Sequence, residues 1–523
     1  MRAVLLAPAA LVSVALACPA LVPAAASAAA PAASAPAASP PAAHASGACS
    51  GVPSDFDGDG RADLAVAAPY TRTGGHARAG SVTVLYGLRT ARRLTQDAGV
   101  EQAGHTERAE PDDERPDRGA TDDDGRPDRG TDGSETGDAF GSALATGDFD
   151  GDRCADLAVG VSEEDRSRPG ADGDGAVRLF HGSAGGLRPG ETIDAGDLGH
   201  KRVPGRFGAA LAAGDLDGDG DDELAIGAPG LGGGAVGVYG LTGRRPSMVT
   251  QRTGWVGQHE RETDQFGAVL ATGDFDGDGR AEIAVGAPAD TMLKNGQGAV
   301  TVLDVRRRRA VLLTQDTPGI GGRAEVWDFF GSALTTGDFD ADGRDDLAIG
   351  VPGEGLSRNQ RAMDYGDGTV HVVYGSSAGL RAATSEGWSQ RSLNGRPRYF
   401  DRFGASLAAG DLNGDGDDEL AIGVPGENAV QILAGTRSGG LTRHGDLLVT
   451  GKGGDFGAAL TAVGGRGLVV AAPRAGRLTL LRGTVRKGPY PGIRPSTART
   501  LATAPKDALF GYAFASASAS AGR

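Results

Sequence analysis

Apolar residues come in short runs of five or six, each closed by Gly, Pro, Asp or Ser, and these runs return in a fixed order along most of the chain. One kind follows a dense acidic stretch and ends in Gly-Ala-Pro or a near relative. Examples are Leu64 to Ala68 before Pro69, then Gly227-Ala228-Pro229, Gly286-Ala287-Pro288, Gly350-Val351-Pro352 and Gly423-Val424-Pro425, with Gly160-Val161-Ser162 as a version lacking the proline. A second kind shows strand-like alternation, as in Ser81 to Tyr86, Ala176 to Phe180, Ala235 to Tyr239, Ala299 to Leu303, Thr369 to Tyr374 and Ala429 to Leu433. A Phe-Gly pair followed by small residues precedes each acidic stretch but the first, and a polar-apolar segment such as Leu94-Thr-Gln96 or Leu313-Thr-Gln315 closes the unit. Runs this short, broken this often by Gly and Pro, predict strands rather than helices. Each unit therefore holds four strands.

Between the first and second strand of a unit lies the acidic stretch, first met as Asp55-Phe-Asp57-Gly-Asp59-Gly60-Arg-Ala-Asp63. Carboxylates at positions 1, 3, 5 and 9 of such a loop converge once a glycine turns the backbone, and converged carboxylates repel unless a cation sits among them. All-oxygen donors in a flexible loop suit calcium. The proposed ligands are Asp55, Asp57, Asp59 and Asp63; Asp148, Asp150, Asp152 and Asp156; Asp215, Asp217, Asp219 and Glu223; Asp274, Asp276, Asp278 and Glu282; Asp338, Asp340, Asp342 and Asp346; and Asp411, Asn413, Asp415 and Glu419. Up to six calcium ions follow. In the second loop Arg153 stands where Gly60 stood, which puts that turn in question, and in the fifth Ala341 replaces a glycine. An EF-hand is excluded: position 12 is apolar (Val66, Val159, Ile226) and a strand, not a helix, continues the chain.

Phe-Gly, then Asp-x-Asp-x-Asp-Gly-x-x-Asp, then Gly-Ala-Pro, resembles the FG-GAP repeat of integrin α-subunit N-terminal β-propellers and of bacterial secreted relatives. Four-stranded units repeating at roughly 60 residues suit propeller blades. A seventh unit keeps Phe456-Gly457 and Ala471-Ala472-Pro473 but has Val463-Gly464-Gly465-Arg466-Gly467 for its loop, and a last Phe510-Gly511 has only Tyr512 to Ala515 after it. The first unit lacks its own Phe-Gly strand. The expectation is an all-β, seven-bladed β-propeller over residues 48–516 whose blade 1 is closed by the C-terminal strand, leaving no open edge.

Composition changes the picture in few places. The formal charge is −16 over 523 residues; six divalent ions would bring it to −4, so the acidity belongs to the loops, and no nucleic-acid partner is expected. Residues 1–28 read as an export signal, with Arg2, the apolar Val4 to Ala17 and the small-residue site Ala26-Ser27-Ala28. An Ala/Pro-rich segment over 29–47, an acidic Arg-Pro-Asp-Arg-Gly-bearing insertion over 97–137 and a tail over 517–523 read as disordered. Cys49 and Cys154 then remain as an even pair in an exported protein, a disulfide candidate. No stretch is long and apolar enough to be read as a membrane span.

The eight histidines are scattered and no catalytic constellation stands out. Long loops between second and third strands (162–175, 289–298, 353–368), with connectors carrying Trp255, His259 and Trp327, emerge on the face opposite the acidic hairpins, and the integrin resemblance places ligand contact there. The reading is a secreted, extracellular bacterial protein, monomeric and calcium-stabilised, binding an extracellular protein or glycan as an adhesion-like module. The alternative is a secreted hydrolase or lyase with its site on the loop-rich face.

Overall fold

The computed structural model describes residues 49–515, apart from 50, 74, 98–100, 103–134, 166–172, 202–204, 244–246, 293, 356–365, 394, 438, 465, 486–487 and 506–507. The proposed signal, the Ala/Pro-rich segment, most of the insertion and the final tail lie outside the described residues.

Seven antiparallel sheets form a ring. Blade 4 shows the pattern: Val269–Gly273, Glu282–Ala287, Ala299–Asp304 and Arg309–Leu313 pair in sequence order from the axis outward, with Ala271 opposite Ala284, Val285 opposite Thr301 and Val302 opposite Val311. The innermost strands of blades 2, 3, 5, 6 and 7 are Phe140–Gly147, Ala210–Gly214, Ala333–Gly337, Leu407–Gly410 and Ala459–Val463. They are rich in Ala, Thr and Gly because seven strands crowd one axis, and they line a channel of about 760 Å³ that reaches the acidic loops. Second strands are buried along their whole length, as in Glu223–Ala228, because both of their faces are covered by neighbouring blades.

Blade 1 is completed as the sequence predicts. Phe514–Ala515 adds to the inner edge of Leu64–Ala68, with Ala65 opposite Ala515 and Val66 opposite Phe514. Leu64 and Val66 of blade 1, Val469, Leu478 and Leu480 of blade 7, and Phe510 share one buried cluster, so apolar packing as well as strand pairing closes the ring. The core as a whole is a set of such layers between blades. In the layer between blades 3 and 4, Val236 and Val238 meet Phe266, Ile283 and Val285.

The Phe-Gly and Gly-Ala-Pro residues make this seam. The phenylalanine plugs the layer, with Phe140, Phe207, Phe266, Phe330 and Phe403 all essentially without exposure. Its backbone bridges in parallel to a glycine of the preceding blade, as Gly234 to Phe266. Gly234 has φ +105° and a Cβ there would lie 2.1 Å from the Phe266 carbonyl oxygen. The Gly-Ala-Pro glycine does the same one strand further in: a Cβ on Gly227 would meet the Gly267 carbonyl oxygen at 2.1 Å. Both positions need glycine because two backbones touch.

Three short 3-10 turns, Pro425–Glu427, Pro473–Ala475 and Pro495–Thr497, are the helical elements among the described residues. No helix there is long and apolar enough to cross a membrane.

Candidate metal centres

Each acidic loop is a hairpin turn between the first and second strands of a blade, and its hydrogen bonds recur from blade to blade. In the first, Asp55 accepts from the N–H groups of Asp59 (3.1 Å) and Gly60 (2.8 Å), folding positions 1 to 6 around one carboxylate. Asp63, at position 9, accepts from Phe56 N (2.9 Å) and from Gly87 N (2.6 Å) beyond the third strand. Asp156 and Asp346 repeat both contacts with Phe149 and Gly182 and with Phe339 and Gly375. In these three loops the position-9 aspartate thereby ties its own loop to the end of the blade's third strand.

Arg153 takes the glycine's place without breaking the turn. It adopts φ +67° against +80° for Gly60, and its N–H donates to Asp148 Oδ2 at 2.8 Å as Gly60 does to Asp55. Ala341 likewise sits at φ +52°. The loop geometry outweighs the left-handed penalty of about 1–2 kcal/mol for a residue with a Cβ.

Positions 1, 3 and 9 come together. Ligand oxygens of Asp55, Asp57 and Asp63, of Asp215, Asp217 and Glu223, and of Asp274, Asp276 and Glu282 lie within 4.8 Å of one another. Position 5 is divided between that cluster and a neighbouring arginine: Arg61 faces Asp59 at 3.5 Å, Arg280 faces Asp278 at 2.5 Å and Arg344 pairs with Asp342. In blade 4 a further guanidinium, Arg307, contacts Asp276 at 2.8 Å and also Asp278. In the sixth loop Asn413 turns its Nδ2 to Glu419 Oε1 at 2.7 Å.

These groups fit a hard cation on two counts. Buried oxygens of Asp148, Asp276, Asp340, Asn413 and Asp415 have no hydrogen-bond partner. The position-9 carboxyls are pushed up, by burial first and by the neighbouring loop acids as well: Asp63 and Asp156 to about 7, Glu223, Glu282 and Asp346 to about 8, and Glu419 to about 9. Clustered acids that resist ionising are acids short of a counter-charge.

Three features escaped the sequence reading. The first is position 8, where Asp222, Asp345 and Asp418 reach to the preceding blade and accept from the position-1 N–H of Asp148 (3.0 Å), Asp274 (2.8 Å) and Asp338 (3.0 Å). They staple loop to loop instead of pointing at the cluster, and their absence from the other loops hid the pattern. The second is His181, whose Nδ1 lies 3.4 Å from Asp150 and 3.3 Å from Asp156, with Nε2 3.1 Å from Glu191. Burial opposes a charged imidazole there, but the bonds to Glu191 and Asp156 outweigh it and raise the pKa. Its place at the end of a third strand, beside a loop 25 residues away, is a tertiary fact. The third is a Gly-x-Ser-x-Gly spacing at Gly375 to Gly379. It forms a turn after a strand, with Ser376 Oγ donating to the Gly379 carbonyl, not the strand-to-helix elbow that exposes a nucleophile.

Cys49 and Cys154 form a disulfide across 105 residues, tying the chain before the first loop to the second loop.

On the opposite face, loops and connectors interlock, as Trp327 N donates to Asn295 O at 2.9 Å and Phe329 N to Gly296 O at 3.0 Å. Trp327, Tyr399 and Phe400 stand 39%, 42% and 46% exposed there, with Met292 and Val326 exposed as well, whereas Trp255 packs against the core. Trp327 and Phe400 hold φ +67° and +69°; the equivalent positions before Phe140 and Phe456 are glycines, Gly137 and Gly453.

A profile of the FG-GAP repeat matches residues 50–85, 140–180, 207–239, 266–303, 330–373 and 403–441, the six blades that carry acidic loops. The chain is similar to integrin alpha-PS2 of Drosophila melanogaster, 32% identical over 250 residues that make up 43% of this chain and 16% of that protein. It is also similar to integrin alpha pat-2 of Caenorhabditis briggsae, 32% identical over 196 residues (35% and 15%), and to human integrin alpha-IIb, 29% over 239 residues (44% and 21%). The matched part is thus about a fifth or less of each relative's length. Among solved structures, rhamnogalacturonan lyase YesW aligns over 69% of this chain and 58% of its own at 17% identity and a TM-score of 0.33, too remote to bear on function.

Proposed function

Starting from a chain that is an FG-GAP repeat protein with an integrin-alpha-like β-propeller, we propose that it is a secreted, calcium-stabilised binding module. On this reading the six acidic loops hold calcium and set the blades, and the opposite face takes an extracellular protein or glycan. The disulfide supports an oxidising compartment. Calcium would supply the counter-charge that lets the position-9 carboxylates ionise while they keep their backbone hydrogen bonds; the unpartnered oxygens of Asp276 and Asp340 are the ones it would satisfy.

The observation that carries the binding face is the pair Trp327 and Phe400. Each exposes an aromatic ring from a left-handed backbone that other blades reach with glycine. Trp327 lies over Gly296 and against Phe329, and Phe400 against Tyr399, so each ring packs locally on this face and keeps its outer side to solvent, and strain kept in exposed aromatics is what a contact surface leaves behind. The test is a panel of glycans and matrix proteins presented to the calcium-loaded chain. Trp327→Ala with Phe400→Ala should lower binding at least tenfold while the melting curve holds. A bound ligand indifferent to both substitutions would sink this placement.

A further inference from the structure

A second polar cluster repeats on the face away from the acidic loops, at the seams between blades. At the seam of blades 4 and 5, Gln315, just past the last strand of blade 4, donates its Nε2 to Glu354 Oε2 at 2.6 Å. Glu354 follows the Gly-Val-Pro of blade 5, and Asp328, two residues before that blade's Phe-Gly phenylalanine, lies beside it. Gln315 and Asp328 are 2% exposed and Glu354 is half-buried; burial raises both carboxyls, with repulsion from Glu354 added at Asp328 and from Glu325 at Glu354. Gln315 Oε1 is buried with no hydrogen-bond partner.

The same three residues recur as Gln96, Glu164 and Asp138 between blades 1 and 2, as Gln251, Asp290 and Asp264 between blades 3 and 4, and as Gln390, Glu427 and Asp401 between blades 5 and 6. The amide donates to the carboxylate after the proline position in every case. Every one of the four glutamine oxygens is buried and unpartnered. The remaining three seams lack all three groups at once. Between blades 2 and 3 the positions are Ala195, Leu231 and Gly205; between blades 6 and 7, Gly451, Ala475 and Gly454; between blades 7 and 1, Ala504, Thr71 and Ala508. There the space is taken by apolar packing, with Ala195, Leu198 and Leu231 in one cluster.

This all-or-none pattern excludes a role in merely closing a seam, because three seams close without it. The second acid also caps its connector, Asp264, Asp328 and Asp401 accepting from the N–H groups of Arg261, Glu325 and Arg398, but a hydrogen-bond clasp would not strand the amide oxygen at all four seams. Two carboxylates and a neutral amide oxygen, away from water, make a dianionic all-oxygen nest suited to a hard divalent cation at about 2.3–2.6 Å from its ligands. Arg261, Lys294 and Arg398 stand near three of the seams and partly offset the charge of Asp264, Asp290, Asp328 and Asp401, while their direct contacts are with Thr291 and the carbonyl of Met292, with the carbonyl of Ala324, and, at 3.8 Å, with the second oxygen of Glu427. We propose that the four glutamine-bearing seams are divalent-cation sites of the calcium class, separate from the acidic loops, each pinning the last strand of one blade to the next.

Gln315→Ala with Glu354→Leu and Asp328→Gly copies the seam between blades 2 and 3, a set this chain already folds with. Equilibrium dialysis of the decalcified full-length protein against radioactive calcium should show one ion fewer per chain than wild type, with the melting curve in chelator retained. An unchanged count overturns the proposal. Gln315→Glu separates ion from clasp: at a cation site it supplies a ligand, so the midpoint in saturating calcium should match wild type and drop by several degrees in chelator. An equal drop with and without calcium shows a hydrogen-bond clasp alone and also overturns it.

Discussion

On the acidic face six blades repeat one turn, folded by the position-6 N–H donating to the position-1 carboxylate, whereas on the opposite face the loops differ in length, sequence and strain from blade to blade. The first face tolerates little: when Arg153 or Ala341 replaces a glycine, the backbone keeps the left-handed turn regardless. The second face tolerates much, and uses left-handed backbone to lift Trp327 and Phe400 outward. Repetition marks what holds the ring, and variation marks where a partner can be met.

The largest expected effect tests the first half of that contrast. Removing calcium should lower the melting midpoint steeply, and the loss should grow with pH. The position-9 carboxyls titrate at about 7 to 9 in the metal-free fold, above the ordinary range near 4 of the unfolded chain. Between those values the folded state holds protons that the unfolded state has released, so metal-free stability is full below about pH 4 and falls as pH rises toward 9. Calcium favours the ionised form and should flatten or reverse that slope. Thermal melts in chelator at acidic and alkaline pH check it; a chelated midpoint that climbs with pH would break the account of these loops.

Ring closure comes next. Phe510 is 4% exposed in the layer between blades 7 and 1. Phe510→Ala should cost about 3–5 kcal/mol, the range for a buried phenylalanine, measured by denaturant unfolding in saturating calcium. Little change would mean that the two-residue pairing of Phe514–Ala515 closes the ring unaided. The disulfide should weigh about as much or slightly less: Cys49→Ala with Cys154→Ala frees a loop of 105 residues and should cost about 2–5 kcal/mol, checked by the same unfolding curves under oxidising conditions.

Much of this was legible in the sequence because each blade restates it. Phe-Gly and Gly-Ala-Pro sit where backbones touch, and the period-2 runs between them leave one topology. Even the borrowed strand of blade 1 could be inferred from a Phe-Gly without a blade and a blade without a Phe-Gly. What the sequence hid is whatever depends on a neighbour in space. Asp222, Asp345 and Asp418 look like spare acids until the preceding blade's loop is beside them. His181 looks like any strand-end residue until its blade folds it against Asp150 and Asp156. The division of position 5 between cluster and arginine follows from Arg61, Arg280 and Arg344 lying on the same side of the turn, which spacing alone does not decide.

The smallest effects compare the two faces most directly, through one kind of substitution made on each. Arg153→Gly and Trp327→Gly both relieve a left-handed backbone, so both should leave the fold as stable or raise it by about 1 kcal/mol. They part in function. Arg153 lies in a turn whose donor, its own N–H to Asp148, survives in glycine, so calcium affinity and ligand binding should both stand. Trp327→Gly removes a ring that covers Gly296 and faces solvent, so the captured protein or glycan should be lost while calcium binding is kept. Equal loss of binding in both variants would mean that the acidic face, too, meets the partner, and that strain alone does not distinguish the two faces.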